Sequence, residues 1–152
     1  MTPRSLFRAV AVAEALTWAL LLAGMYVKYI AQVTDRLVPP AGAVHGFVFL
    51  CFISVTLFVW VNQRWSVSTG VLGVASAFVP FATVAFEHRR RIRGQLDGGW
   101  RLAPGGSEPQ NLPERLQTAL LRSPMRAGAA AFAAITVVFV LLLLAGPPVS
   151  FT

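Results

Sequence analysis

Long apolar runs separated by short polar breaks dominate the chain. Four of these runs approach the length of a membrane-spanning helix, which needs about 20 mostly apolar residues. They cover residues 6–29, 43–61, 67–86 and 127–145. The pattern predicts an all-α, polytopic membrane helical bundle. In it, residues 1–93 form a three-helix membrane core, and residues 127–152 form a fourth transmembrane helix and a short tail.

The breaks between the runs set the predicted connections. Asp35, Arg36 and the pair Pro39–Pro40 predict a loop between the first two helices. Residues 62–64 leave room only for a tight turn, so the second and third segments are predicted to form a helical hairpin.

The longest predicted loop, residues 94–126, is basic and rich in Gly and Pro. Within it, Asn111 and Glu114 have the spacing of a helix N-cap and its capping-box partner. Four leucines then fall near one helical face, at positions 112, 116, 120 and 121. This pattern predicts a short amphipathic helix on the membrane surface. The alternative is a solvated linker with scattered leucines.

Composition supports the membrane assignment. Hydrophobic residues make up 56% of the chain and charged residues 12%, whereas globular domains carry about 25% charged residues. The net charge of +7 comes from basic residues that lie between apolar segments, where they act as topology signals and contact anionic lipid. A lipid-facing basic cluster is predicted at Arg89, Arg90, Arg91 and Arg93. We expect no binding to nucleic acid.

The basic residues also predict an orientation. Four alternating helices would place Arg4, Arg8 and Arg64 on one side and the other basic residues on the opposite side. Because the more basic side faces the cytoplasm, both termini are predicted outside and the loop 87–126 in the cytoplasm. Arginine-rich usage is typical of a GC-rich bacterial genome, so the expected location is a bacterial inner membrane.

Glu14 is the strongest candidate for a functional residue within the membrane. It begins a stripe at helical spacing that continues through Trp18, Leu21, Met25 and Lys28 and should face the protein interior. An intramembrane carboxylate of this kind carries a proton or cation in transporters. The alternative is a structural carboxylate that is hydrogen-bonded to Arg, Ser or Thr, or buried against a partner protein. Arg8 and Arg64 are predicted to be within its reach.

His45 is predicted near the start of the second helix, beside Lys28 and Tyr29 and away from Glu14. A packing or hydrogen-bonding role is expected for it, and Gly46 would allow close helix approach. The two histidines and single cysteine have no metal-ligand spacing, so we expect no metal and no cofactor. No catalytic motif is present either, so the chain is not expected to be an enzyme.

The order of several short motifs resembles a known family. The motifs are Phe7-Arg8, Val10-Ala11, Glu14, Trp18, Met25, Lys28-Tyr29, His45-Gly46, Trp65 and Pro80-Phe81. Together they resemble the small integral membrane proteins with a His-Gly motif that are classed as domain of unknown function 3817 and are common in actinobacteria. The resemblance covers roughly residues 5–93. It implies a core of three helices that ends in a basic segment, to which the later loop and fourth helix are an addition.

Two functions remain open at this point. The first is an accessory or assembly subunit of a larger cell-envelope or transport complex, with other membrane-protein subunits as partners. The alternative is a small oligomeric transporter or channel that uses Glu14.

Overall fold

Helices account for most of the backbone in the computed structural model, which describes residues 1–146. These residues form no strand, so the predicted all-α class is confirmed. The predicted tail after residue 146 lies outside the described residues. The six helices are α1 (Pro3–Tyr29), α2 (Val38–Gln63), α3 (Val67–Ala75), α4 (Ala82–Ile92), α5 (Leu112–Arg122) and α6 (Pro124–Ala145).

The prolines after the first loop begin α2 rather than precede it. The helix starts at Val38, so Pro39 and Pro40 lie in its first turn and not in the predicted loop. Proline is tolerated there because the first backbone N–H groups of a helix have no partner within it. At its other end α2 stops at Gln63, and Arg64 takes a left-handed conformation with φ of 49°.

The third apolar segment is not the single transmembrane helix predicted for residues 67–86. It breaks into α3, a 3₁₀ turn (Ser76–Phe78) and α4. Pro80 lacks an N–H and keeps Val79 extended, and Phe81 then adopts a left-handed φ of 66°. The chain reverses at this point, and we call residues 67–92 the re-entrant hairpin.

The arms of the re-entrant hairpin are too short to cross a membrane. At 1.5 Å per residue, the 9 residues of α3 and 11 of α4 span about 14 and 17 Å, roughly half of a ~30 Å hydrocarbon core. Three helices within residues 1–146 are long and apolar enough to span: α1, α2 and α6. The predicted count of four spanning helices is therefore wrong.

The hairpin returns the chain to the end of the bundle where it began. The Trp100 indole N–H donates to the carbonyl oxygen of Met1 at 2.8 Å, and Arg4 lies 3.7 Å from Asp97. We call this end, formed by residues 1–8, 62–66 and 93–123, the loop face, and the opposite end, residues 29–38, the far face. The N-terminus and the loop 87–126 were predicted on opposite sides, on the assumption that residues 67–86 cross the membrane. This prediction is wrong, because these residues turn back and the loop contacts the N-terminus.

An aromatic core joins α1, α2 and the hairpin near the loop face. The Phe7 ring lies 5.6 Å from Phe52, 5.7 Å from Trp65 and 6.1 Å from Phe86, measured between ring centroids. Such pairs contribute about 0.5–1.5 kcal/mol each beyond their burial. A methyl group on Gly70 would overlap the indole of Trp60, so this glycine allows α3 to pack closely against α2.

The last two helices pack on the outside of α2. The helix α5 forms where the Asn111–Glu114 spacing predicts it, and Asn111 accepts a hydrogen bond from the Glu114 N–H. Its buried residues, Glu114 and Gln117, face α2, whereas Leu112 and Leu116 are exposed; the membrane-surface location of this helix stays a prediction. No residue of α6 is buried.

Cysteine labelling from the two sides of the membrane tests this topology. With Cys51→Ala as background, Asp35→Cys lies at the far face and Ser107→Cys at the loop face, and both positions are exposed. We expect an impermeant thiol reagent added from one side to label one variant and not the other. Four spanning helices would instead place both cysteines on the same side, so labelling of both from one side would contradict the re-entrant hairpin.

Candidate functional site

A buried polar cluster lies where the tip of the re-entrant hairpin meets α1. Glu14 is fully buried, and its Oε2 accepts a 2.9 Å hydrogen bond from the Thr83 hydroxyl, which also lies 3.1 Å from the carbonyl oxygen of Ala11. Thr83 is in the first turn of α4, whose dipole favours negative charge at that end. The other oxygen, Oε1, has no hydrogen-bond partner, and Glu14 forms no ion pair within residues 1–146.

Glu14 lies deep in the membrane-spanning part of α1. It is eleven residues after the first residue of the helix, Pro3, which corresponds to about 16 Å. This is close to the middle of a ~30 Å hydrocarbon core. The re-entrant hairpin brings Thr83 to the same depth from the loop face, which a single spanning helix over residues 67–86 would not do.

His45 joins the cluster through Thr17. The Thr17 Oγ1 atom is 3.0 Å from His45 Nδ1 and donates its single proton to the carbonyl oxygen of Glu14 at 2.9 Å. The Thr17 hydroxyl therefore lies between the imidazole of α2 and the backbone of α1, and it links the two helices. The Trp18 ring stacks 4.4 Å from the imidazole, and its N–H donates to the carbonyl oxygen of Ala77 at 3.3 Å.

The predicted position of His45 is therefore wrong. It does not lie beside Lys28 and Tyr29, because α2 begins at Val38 and places His45 two turns deeper in the bundle. Lys28 instead lies over the Tyr29 ring, 4.9 Å from its centroid, near the far face. Gly46 faces the Phe139 ring of α6, which a methyl group on the glycine would contact at 3.5 Å.

Neither of the arginines predicted to reach Glu14 contacts it. Arg8 is exposed, and the Arg64 Nε donates to Glu114 Oε1 at 3.3 Å. Thr83, the actual partner, is not among the residues predicted to contact Glu14. Its only sequence signal is that it follows the helix-breaking pair Pro80–Phe81.

The predicted basic cluster divides into two halves. Arg89 and Arg93 are exposed at the loop face and remain available to lipid headgroups. Arg90 is buried and donates to the Gln95 side chain at 2.8 Å, and Arg91 lies 3.7 Å from Glu87.

A second constellation at the loop face holds α5 against α2. Glu114 Oε1 accepts from Arg101 Nη2 at 2.7 Å as well as from Arg64, and Oε2 accepts from the backbone N–H of Gln110 at 2.7 Å. The Gln110 N–H, followed by Arg101, holds the pKa of Glu114 below its ordinary value. Arg101 also donates to the carbonyl oxygens of Val61 and Asn62, so the same guanidinium caps the end of α2.

The two constellations differ in what they can do chemically. The cluster around Glu14 places a carboxyl group inside the membrane, and one of its oxygens has no hydrogen-bond partner. Such a group can hold the hairpin against α1 by hydrogen bonding, or it can exchange a proton or cation. In the second constellation both carboxylate oxygens of Glu114 accept hydrogen bonds, and these bonds fix the loop. Within residues 1–146, no three His, Cys, Asp or Glu side chains come together in a group that could hold a metal ion.

Comparison with known proteins agrees with the extent of the core. The family described as "Domain of unknown function (DUF3817)" matches residues 4–91. The chain is 41% identical over 91 residues to "Putative membrane protein SCO5905" of Streptomyces coelicolor, which covers 59% of this chain but 11% of the relative's length. No solved structure matches. The predicted resemblance is thereby confirmed, and both α5 and α6 lie outside the family match.

Removing the Thr83 hydroxyl is expected to destabilise the bundle. Thr83→Val leaves Glu14 Oε2 buried without its donor, which should lower the free energy of unfolding by about 1–2 kcal/mol. Thr83→Ser should retain most of the stability. The matched control is Thr136→Val on α6, where the hydroxyl bonds its own helix at an exposed position. Thermal unfolding in mild detergent, followed by tryptophan fluorescence, measures the difference. Equal unfolding temperatures for Thr83→Val and Thr136→Val would contradict the role of Thr83.

The Glu114 network should make the docking of α5 depend on pH. Because the folded state lowers the pKa of Glu114, its stabilisation is present at neutral pH and is lost as the pH falls below about 4.3. Glu114→Gln should therefore be less stable than the wild type at pH 7. Unfolding temperatures across the pH range should show this gap closing toward pH 3. A gap of constant size would mean that the charge of Glu114 does not contribute.

Proposed function

Because the chain belongs to the DUF3817 family of membrane proteins and adds a loosely packed helix to the family core, we propose that it is a non-enzymatic membrane subunit. In this proposal it binds a larger membrane protein of the cell envelope in the plane of the membrane. The binding surface is the side of α6 that faces away from α2.

The exposure of α6 is the observation that carries this proposal. The helix meets α2 mainly through Phe47, whose ring lies 5.7 Å from Phe132 and 5.5 Å from Phe139. On the opposite side, Ala130 and Ala134 are exposed one turn apart. Small residues at this spacing favour close helix association in membranes, where van der Waals packing and not the hydrophobic effect drives binding.

The relative in Streptomyces coelicolor supports the same proposal. There the matching segment occupies 11% of a long chain that is described as a membrane protein. A core of this kind thus occurs as a small part of a larger membrane protein. We propose that the present chain is instead a separate subunit, which binds a larger membrane protein non-covalently.

The proposal includes an orientation with the loop face in the cytoplasm. Of the 13 basic residues, Lys28 and Arg36 are near the far face and the others are toward the loop face. Because basic residues accumulate on the cytoplasmic side, the N-terminus is inside and α6 runs outward. The exposed Arg89 and Arg93 then face the anionic inner leaflet.

A second candidate is a small oligomeric transporter that uses Glu14. The observation that favours it is the free Oε1 of a carboxyl group beside a broken helix, since discontinuous helices line ion sites in transporters. Against it, Glu14 does not line any of three clefts that the described residues form at the loop face and between α2 and α6.

Purification of the tagged protein from its native membrane tests both candidates. We expect a stoichiometric membrane-protein partner, identified by mass spectrometry. Ala130→Leu together with Ala134→Leu adds bulk to the exposed side of α6 and should reduce the recovered partner about tenfold. The matched control is Ala19→Leu with Ala23→Leu, the same changes at the same spacing on the exposed side of α1.

The outcomes separate the two candidates. Retention of the partner by both double variants would place the interface elsewhere and contradict the role of α6. A homogeneous assembly of this chain alone, with an ion flux that Glu14→Gln abolishes, would support the transporter instead.

A further inference from the structure

A crevice at the loop face combines an apolar wall with a basic rim. It lies between the last turns of α2 and the start of α5 and has a volume of about 570 Å³. Leu57, Trp60 and Val61 of α2 form its apolar wall, and Arg64, Asn111 and Glu114 lie along its polar side. The Trp60 N–H donates to the carbonyl oxygen of Trp65 at 2.9 Å, which fixes the indole in this wall.

The basic rim has an unneutralised positive charge. Arg64 and Arg101 share a single carboxylate, because both donate to the same oxygen of Glu114. Arg64 uses only Nε for this contact, and within residues 1–146 its two terminal nitrogens make no hydrogen bond. Its side chain is 51% exposed, so these nitrogens remain available to an anion at the mouth of the crevice.

The polar side of the crevice lies at the membrane boundary, and its apolar wall lies deeper. Arg64 directly follows the last residue of α2, Gln63, and so lies at the membrane–water boundary. Leu57 is two turns deeper on the same helix and is 46% exposed toward the hydrocarbon. Trp60 lies between them, at the depth where tryptophan is enriched in membrane proteins.

We propose that this crevice binds one anionic phospholipid. The phosphate accepts hydrogen bonds from the terminal nitrogens of Arg64, and an acyl chain lies along Leu57 and Trp60. Guanidinium–phosphate pairs are among the strong hydrogen bonds of proteins, and the apolar wall selects a lipid over a free phosphate ion. The site is distinct from the exposed Arg89 and Arg93, and it does not depend on whether the chain is a subunit or a transporter.

The neighbouring cleft shows why the apolar wall matters. It shares Arg64 but is otherwise lined by polar residues and by the loop at Gly98–Arg101, with Asp97 at its edge. Trp100 is the single large apolar side chain in its lining, and no aliphatic side chain of α2 continues that surface into the membrane, so we assign no lipid to this cleft.

Native mass spectrometry of the protein reconstituted with phosphatidylglycerol or phosphatidylcholine tests the proposal. We expect the wild type to retain one phosphatidylglycerol in preference to phosphatidylcholine. Arg64→Gln should lower this retention about tenfold, because it removes a charge-assisted hydrogen bond, and Arg64→Lys should restore much of it. The matched control is Arg93→Gln, which removes an exposed arginine from the same face outside the crevice.

A second variant separates lipid binding from the folding of α5. Leu57→Trp fills the apolar end of the crevice and leaves Arg64, Arg101 and Glu114 in place, so it should also reduce lipid retention. Equal loss in Arg64→Gln and Arg93→Gln would overturn the proposal in favour of general attraction to the basic face. Unchanged retention in Leu57→Trp, or displacement of the lipid by inorganic phosphate, would reduce the site to one for a phosphate group alone.

Discussion

Inside the hydrocarbon core a turning backbone finds no water, so its polar groups must bond within the protein. The turn at residues 79–81 makes two local backbone hydrogen bonds, from the Val79 N–H to the carbonyl oxygen of Ser76 and from the Ala82 N–H to that of Val79. Side chains of α1 then hold the turn in place, since Trp18 donates to Ala77. Thr83 completes the attachment by bonding both the carboxyl group and the backbone of α1. The position of the loop and the placement of Arg89–Arg93 beside the N-terminus both follow from this reversal.

The amino-acid pattern predicts most of the fold but not the reversal. The lengths of the apolar runs identify α1, α2 and α6, and the cap at Asn111 identifies α5. A run of 20 apolar residues, however, has the same composition whether it crosses the membrane once or enters it and returns. The distinguishing signal at residues 67–86 is Pro80 followed by Phe81, which was visible in the sequence but is equally compatible with a kinked spanning helix.

The candidate site was also predictable only in part, because the sequence pattern indicates which face of a helix is buried but not which residues it contacts. Helical periodicity correctly placed Glu14 and Trp18 on the inward side of α1. Their partners could not be read from the sequence, because Thr83 reaches Glu14 only through the return of α4. The depth of His45 depended on whether Pro39 and Pro40 end a loop or begin a helix, and a proline pair is compatible with both. The Glu114 network likewise joins residues that are far apart in the chain, so it follows from tertiary structure alone.

The reversal at Pro80 also determines how the family core can be combined with other chains. The matched segment, residues 4–91, contains two helices that are long and apolar enough to span a membrane, followed by the re-entrant hairpin, which returns to the loop face. Its two ends are therefore neighbours in space, as the contact between Met1 and Trp100 illustrates just beyond them. A segment with an even number of crossings can be inserted into a loop of another membrane protein without inverting any helix that follows. With its two ends at one face, the core has the geometry that such an insertion requires, whereas α6 leads from the loop face toward the far face.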